Sequence, residues 1–154
     1  LTGQGPDAWC DVDFAYRAHL LGFRFKRNLT AIGYQNDAIT TSLGTSCHRW
    51  ERASRSAVLL FEKYPDLQPH IPMFRDKTSI SLRHDPPRLI VRKVLRAFTA
   101  WRPVLWGMEQ LVHLLERVAP RPALLRPLYR WTLSSYIYRG YRQGLREYGL
   151  LEGQ

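Results

Sequence analysis

The stretch WCDVDFAYRAHLLGFRF, residues 9–25, decides how the fold is read. Its first part carries apolar residues at helical spacing, with Val12, Ala15, Ala18 or His19 and Leu21 on one face. Asp7 stands ahead of it as a candidate N-cap, and the helix is expected over about 9–21. Gly22 suits a left-handed C-terminal cap. Phe23-Arg24-Phe25-Lys26 then alternates apolar with basic, as a half-buried strand would. A second strand, or a continuation of the first, is expected from Leu29 to Tyr34. Two carboxylates, Asp11 and Asp13, lie at the start of the helix. Two positions apart, they point in different directions and suit different roles. One reading is helix capping and solvation, which the positive helix N-terminus favours by ~0.3–1 kcal/mol per acid. The other is a carboxylate that takes a proton from a substrate.

Outward from this stretch, the chain alternates helical patterns with breakers. Residues 35–44, QNDAITTSLG, read as a loop. A helix is expected over about 45–63, with Trp50, Ala53, Ala57, Leu60 or Phe61 and Tyr64 along one side, ending before Pro65. Five prolines make 65–87 an irregular connection. Three helices follow. Over 88–101, Val91, Val94, Leu95, Phe98 and Trp101 form one stripe and Arg88, Arg92 and Arg96 another. Over 103–118 the stripe is Val104, Met108, Leu111, Leu115 and Val118, with Pro103 in the tolerant first turn. Over 123–148 it is Tyr138, Tyr141, Leu145 and Tyr148, with Arg139, Arg142 and Arg146 alongside.

The 154 residues suffice for one domain with a modest core. Two cysteines, Cys10 and Cys47, are too few for a disulfide scaffold or a cysteine zinc site, so a reducing compartment is expected. No apolar run reaches the ~18 residues of a membrane span. The charge is uneven. Residues 1–85 carry 11 Lys+Arg against 9 Asp+Glu, while residues 86–154 carry 12 against 4 and so hold most of the net +10. A basic half of this kind suits an anionic partner. With Trp101, Trp106 and Trp131 among the arginines, two uses stay open for it. The helices pack on one another with arginine solvated, or they dock on an anionic membrane surface as interfacial amphipathic helices. Nucleic acid is the weaker partner, since no helix-turn-helix, RRM or zinc pattern accompanies the basic residues.

The order of residues in the opening stretch resembles the C-terminal part of the family 2 glycosyltransferases. That family carries a segment of the type E-D-V-D-L-x-x-R-x-x-x-x-G-[FW]-[RK]. In this chain it stands as Cys10-Asp11-Val12-Asp13-Phe14-Ala15-Tyr16-Arg17, followed by Gly22-Phe23-Arg24. The resemblance implies an α/β fold, the C-terminal acceptor-side part of a GT-A domain over 1–85, followed by a basic amphipathic helical region over 86–154. It implies an inverting transfer of a sugar from a nucleotide-sugar donor to an acceptor hydroxyl, saccharide or lipid-linked, as in cell-envelope polysaccharide synthesis. Asp11 would be the general base, with Trp9, Cys10, Asp13 and Arg17 supporting the helix or the acceptor site. A divalent metal, Mg or Mn, would carry the donor diphosphate.

Two positions depart from the family. Cys10 stands where a Glu is usual, and Gln35 stands where a metal-binding His is usual. An amide is a weak metal ligand beside an imidazole. The one D-x-D, Asp11-Val12-Asp13, fits the acceptor-side motif, and no Gly-rich phosphate loop appears. The chain, which opens Leu1-Thr2-Gly3, is therefore expected to be a fragment lacking the donor-binding half and inactive alone. Its expected place is cytoplasmic, peripheral on the inner face of a membrane. The alternative to an enzyme is a basic helical module that binds such a surface or a partner protein. His48 reads as a surface or structural residue. Asn28-Leu29-Thr30 is a glycosylation sequon, but nothing in the sequence suggests secretion; Ser54 and Ser56 have no nucleophile-elbow context, and His70, His84 and His113 show no ligand spacing.

Overall fold

Helical periodicity dominates the sequence, and helices dominate the fold. The computed structural model describes residues 9–26, 28, 30–31, 42–74, 77, 85–118 and 121–148. These form α1 (Cys10–Leu20), α2 (Leu43–Lys63), α3 (Pro87–Thr99), α4 (Arg102–Val118) and α5 (Pro122–Glu147), with two short 3-10 turns, Pro65–His70 and Pro72–Phe74, between α2 and α3. Among the described residues there is no strand, so the fold is all-α. This corrects the α/β expectation and the GT-A architecture that came with it. Phe23–Lys26 has the alternation of a strand, but alternation makes a strand only beside a second backbone that accepts its hydrogen bonds. No described strand lies beside it, and both Phe23 and Phe25 are exposed. Of the second expected strand, only 30 and 31 are described, and they are not in a sheet. The Thr30 N–H donates instead to the Asn28 side chain at 3.0 Å.

The helices themselves fall close to their expected limits. α1 ends as Gly22 allows: its φ is +84°, the Gly22 N–H donates to the His19 carbonyl and the Phe23 N–H to that of Ala18. Its start differs. Trp9 holds the cap position with no side-chain cap bond, and Asp7 lies outside the described residues. α2 begins two residues early, because Ser42 Oγ accepts from the Thr45 N–H at 3.2 Å and caps it.

The core lies where α2 crosses α5. Ala57, Val58, Leu60 and Phe61 of α2 meet Ile137, Tyr141 and Leu145 of α5. Phe74, brought in by the 3-10 turns, is fully buried among them, with its ring 4.9 Å from Phe61 and 5.2 Å from Tyr141. Two glycines set the closeness of this crossing. A methyl at Gly140 would lie 2.8 Å from the Glu51 carbonyl carbon and closer still to its oxygen. One at Gly144 would lie 2.9 Å from Val58 Cγ2 and closer to the Arg55 oxygen. The spacing of four puts both glycines on one face of α5, the face that lies on the α2 backbone. A smaller cluster joins Cys47 of α2, Leu105 of α4 and Tyr136 of α5.

α4 packs through Leu105 and Val112, with Val104, Met108 and Leu115 half-buried, so its expected stripe is rotated and Leu111 and Val118 face outward. α3 departs further. Its buried residues are Lys93, Arg96 and Thr99, and its expected apolar stripe is exposed. Among the described residues no helix is long and apolar enough to cross a membrane.

Candidate functional site

α1 has no fully buried residue of its own, so side-chain anchors fix its position on α2. The residue ahead of it, Trp9, is buried and joins the main core. Its indole N–H donates to the Ala53 carbonyl of α2 at 2.6 Å, and its ring centroid lies 5.8 Å from that of Phe74. One turn on, Asp13 accepts from Lys63 Nζ at 2.8 Å, at the far end of α2, and pairs with Arg17 Nε at 3.0 Å. Tyr16 then meets Tyr64 edge to face at 4.7 Å. Trp9, Asp13 and Tyr16 thus lock the helix along α2. The hydrogen bond from Lys63 lowers the Asp13 carboxyl from its ordinary range, helped by Tyr64 and by the charge of Arg17. The same bond raises Lys63.

Asp11 is placed otherwise. It lies in the first turn, exposed, and its Oδ1 accepts from the Val12 N–H at 2.9 Å. Among the described residues it makes no ion pair. The two acids of the motif therefore divide: Asp13 holds the helix and Asp11 presents a carboxylate outward, beside the positive helix end. They do not converge on one point, and both Asp13 oxygens are engaged by cations, so the D-x-D is not a chelate. Among the described residues no group of three His, Cys, Asp or Glu could hold a metal ion. Gln35 lies outside the described residues.

No family model matches the chain, and no curated protein or solved structure matches it either.

Of the other site residues, Cys10 is exposed on the first turn of α1. Arg17 is largely exposed and committed to Asp13. His48 is exposed on α2, 3.5 Å from Glu51 and edge-on to the Tyr136 ring. Ser54 and Ser56 return their hydroxyls to the carbonyls of Trp50 and Ala53. His113 lies 3.2 Å from Glu116. His84 is outside the described residues. Cys47 is fully buried, and burial first, then the nearby Glu109 and Glu51, push its thiol up to about 12.

Sequence reasoning missed Lys63, which determines what Asp13 does. Fifty residues separate the two, and no local pattern joins them. It also missed a cleft of about 700 Å³ between the C-terminal ends of α3 and α5, which brings Arg102, Arg139, Arg142 and Arg146 together around Phe98 and Trp101. The i, i+3 and i+4 spacing of Arg139, Arg142 and Arg146 was the available signal for part of it.

Proposed function

We propose that this chain is the acceptor-side portion of a nucleotide-sugar-dependent glycosyltransferase, with Asp11 as the base that takes the proton from the acceptor hydroxyl. The observation that carries the reading is the division of labour between the two acids of the motif. A catalytic carboxylate must be held at a fixed place and yet keep an oxygen for the substrate. Trp9 and Asp13 anchor the helix, and Asp11, midway between them, stays exposed at its N-terminus. The positive helix end favours both acids, and of the two it is Asp11 that is not taken up by a cation among the described residues. In the transfer step the attacking oxygen forms a bond to the anomeric carbon, the nucleoside diphosphate leaves, and the hydroxyl proton goes to Asp11. Arg17 pairs with Asp13 and so acts through the position of the helix.

The test uses the complete reading frame that contains this chain, purified and supplied with nucleotide-sugars and saccharide acceptors, with release of nucleoside diphosphate as readout. Asp11→Asn keeps size and a side-chain oxygen that can accept from the Val12 N–H but cannot accept the proton. It is expected to lower kcat by about 10²–10⁴-fold with the donor KM unchanged. Asp13→Asn is expected to lower thermal stability, with a smaller effect on kcat. An Asp11→Asn enzyme with undiminished kcat would overturn the assignment.

A further inference from the structure

We propose that α3 lies in the plane of an anionic membrane, its apolar face in the acyl boundary and the four-arginine cleft at its C-terminal end on the lipid phosphates. This does not rest on the role of Asp11.

The argument starts from an inverted helix. A surface helix of a folded domain turns its apolar face to the core. α3 does the reverse. Lys93 and Arg96 are 2% and 4% exposed, whereas Val91, Phe98 and the adjoining Trp101 are 65%, 60% and 63% exposed, with Val94 and Leu95 on the same side. Polar contacts fix this orientation. Lys93 Nζ pairs with Asp85 at 2.6 Å, Arg96 sits over the Trp131 ring at 5.9 Å, and Thr99 Oγ1 meets Ser135 Oγ at 2.9 Å. Turning the apolar face inward would break all three contacts and strand two charges.

What covers that face must be apolar at its centre and anionic at its rim. Arg88 and Arg92 are exposed along one edge. At the C-terminal end, Phe98 and Trp101 belong both to the apolar face and to the lining of the cleft that holds Arg102, Arg139, Arg142 and Arg146. Arg139 is paired with Glu51, while Arg102, Arg142 and Arg146 make no ion pair among the described residues. A second copy of the chain is a poor cover. A symmetric pairing would set the same arginines against each other, with no matching acids among the described residues of the face to receive them. An anionic bilayer meets both demands: acyl chains for the phenylalanine and valines, headgroup level for Trp101, phosphates for the arginines.

Vesicle sedimentation of the 154-residue chain tests this, with vesicles of phosphatidylcholine alone and of phosphatidylcholine containing roughly one third phosphatidylglycerol. Binding to the anionic vesicles, weak binding to the neutral ones and a blue shift of tryptophan emission are expected. Phe98→Ser is expected to weaken partition by about 10-fold or more. Arg142→Gln and Arg146→Gln are each expected to cost about fivefold on anionic vesicles and nothing on neutral ones. All three positions are exposed or half-exposed, and helicity by circular dichroism checks that each variant folds. Failure of the folded chain to bind anionic vesicles overturns the proposal, as does equal binding to both vesicles or an unchanged Phe98→Ser. A lipid-free dimer that Phe98→Ser makes monomeric would assign the face to self-association and overturn it as well.

Discussion

Gly140 and Gly107 are both helix-interior glycines, and the same substitution should move stability in opposite directions at the two. Alanine in a helix interior is about 0.8–1.0 kcal/mol better than glycine. At Gly107 of α4 a methyl meets nothing within 4 Å, so Gly107→Ala should collect that gain. At Gly140 of α5 the methyl would lie 2.8 Å from the Glu51 carbonyl carbon and 3.0 Å from its Cα. The obstacle is backbone inside α2, so no side-chain rotation relieves it. The two helices must move apart, and the contacts of Val58 and Phe61 with Ile137 and Tyr141 loosen with them. Overpacking of this kind costs about 1–3 kcal/mol, and a backbone obstacle places it at the upper end. After the propensity gain, Gly140→Ala should be less stable by about 2 kcal/mol, which lowers Tm by about 4–8 °C for a chain of this size. Gly107→Ala should raise Tm by about 2–4 °C. Thermal and urea unfolding followed by far-ultraviolet circular dichroism measure both. A Gly140→Ala chain as stable as the parent would refute the close α2–α5 crossing, and with it the placement of the core.

Two solution measurements probe the anchors and the thiols. Asp13 is lowered in the fold, so its pairing contributes stability above its unfolded value of ~3.9 that is lost as pH falls through the folded value. Lys63 is raised, so its contribution is full below its unfolded value of ~10.4 and is lost as pH rises through the folded value. The urea midpoint should fall at both ends of the pH range, and Asp13→Asn should flatten both falls; identical pH profiles would dismiss the pair. With a thiol-specific chromogenic reagent near neutral pH, exposed Cys10 should react at once and Cys47, buried and pushed up to about 12, only after denaturant is added. Two fast equivalents in the native chain would contradict the burial of Cys47.

Local signals are legible in the sequence. Gly22, Pro65 and the proline-rich run to Pro87 mark real ends, and α2 through α5 begin and end close to the expected positions. The step that fails is the one from local pattern to neighbour. Phe23–Lys26 has a strand's alternation, but a strand is a relation between two backbones, and one segment cannot show whether the other is there. Asp13 has the composition of a helix-start acid, yet its partner is Lys63, fifty residues on. The Gly140–Gly144 pair gives no positive signal, because a glycine in a helix looks like a weakness until the helix it touches is known.

α3 carries the same lesson to its end. Periodicity says that a helix has two faces; it does not say which one the protein keeps. The default, apolar inward, fails because Asp85, Trp131 and Ser135 supply partners to Lys93, Arg96 and Thr99, so the polar face is the one with something to meet. Each of those partners lies outside α3, two of them more than thirty residues away, and none changes the periodicity of α3 itself. A helix whose limits were legible from sequence to within two residues was therefore still hard to orient. Its exposed apolar stripe is the consequence of a polar docking that only the assembled fold reveals.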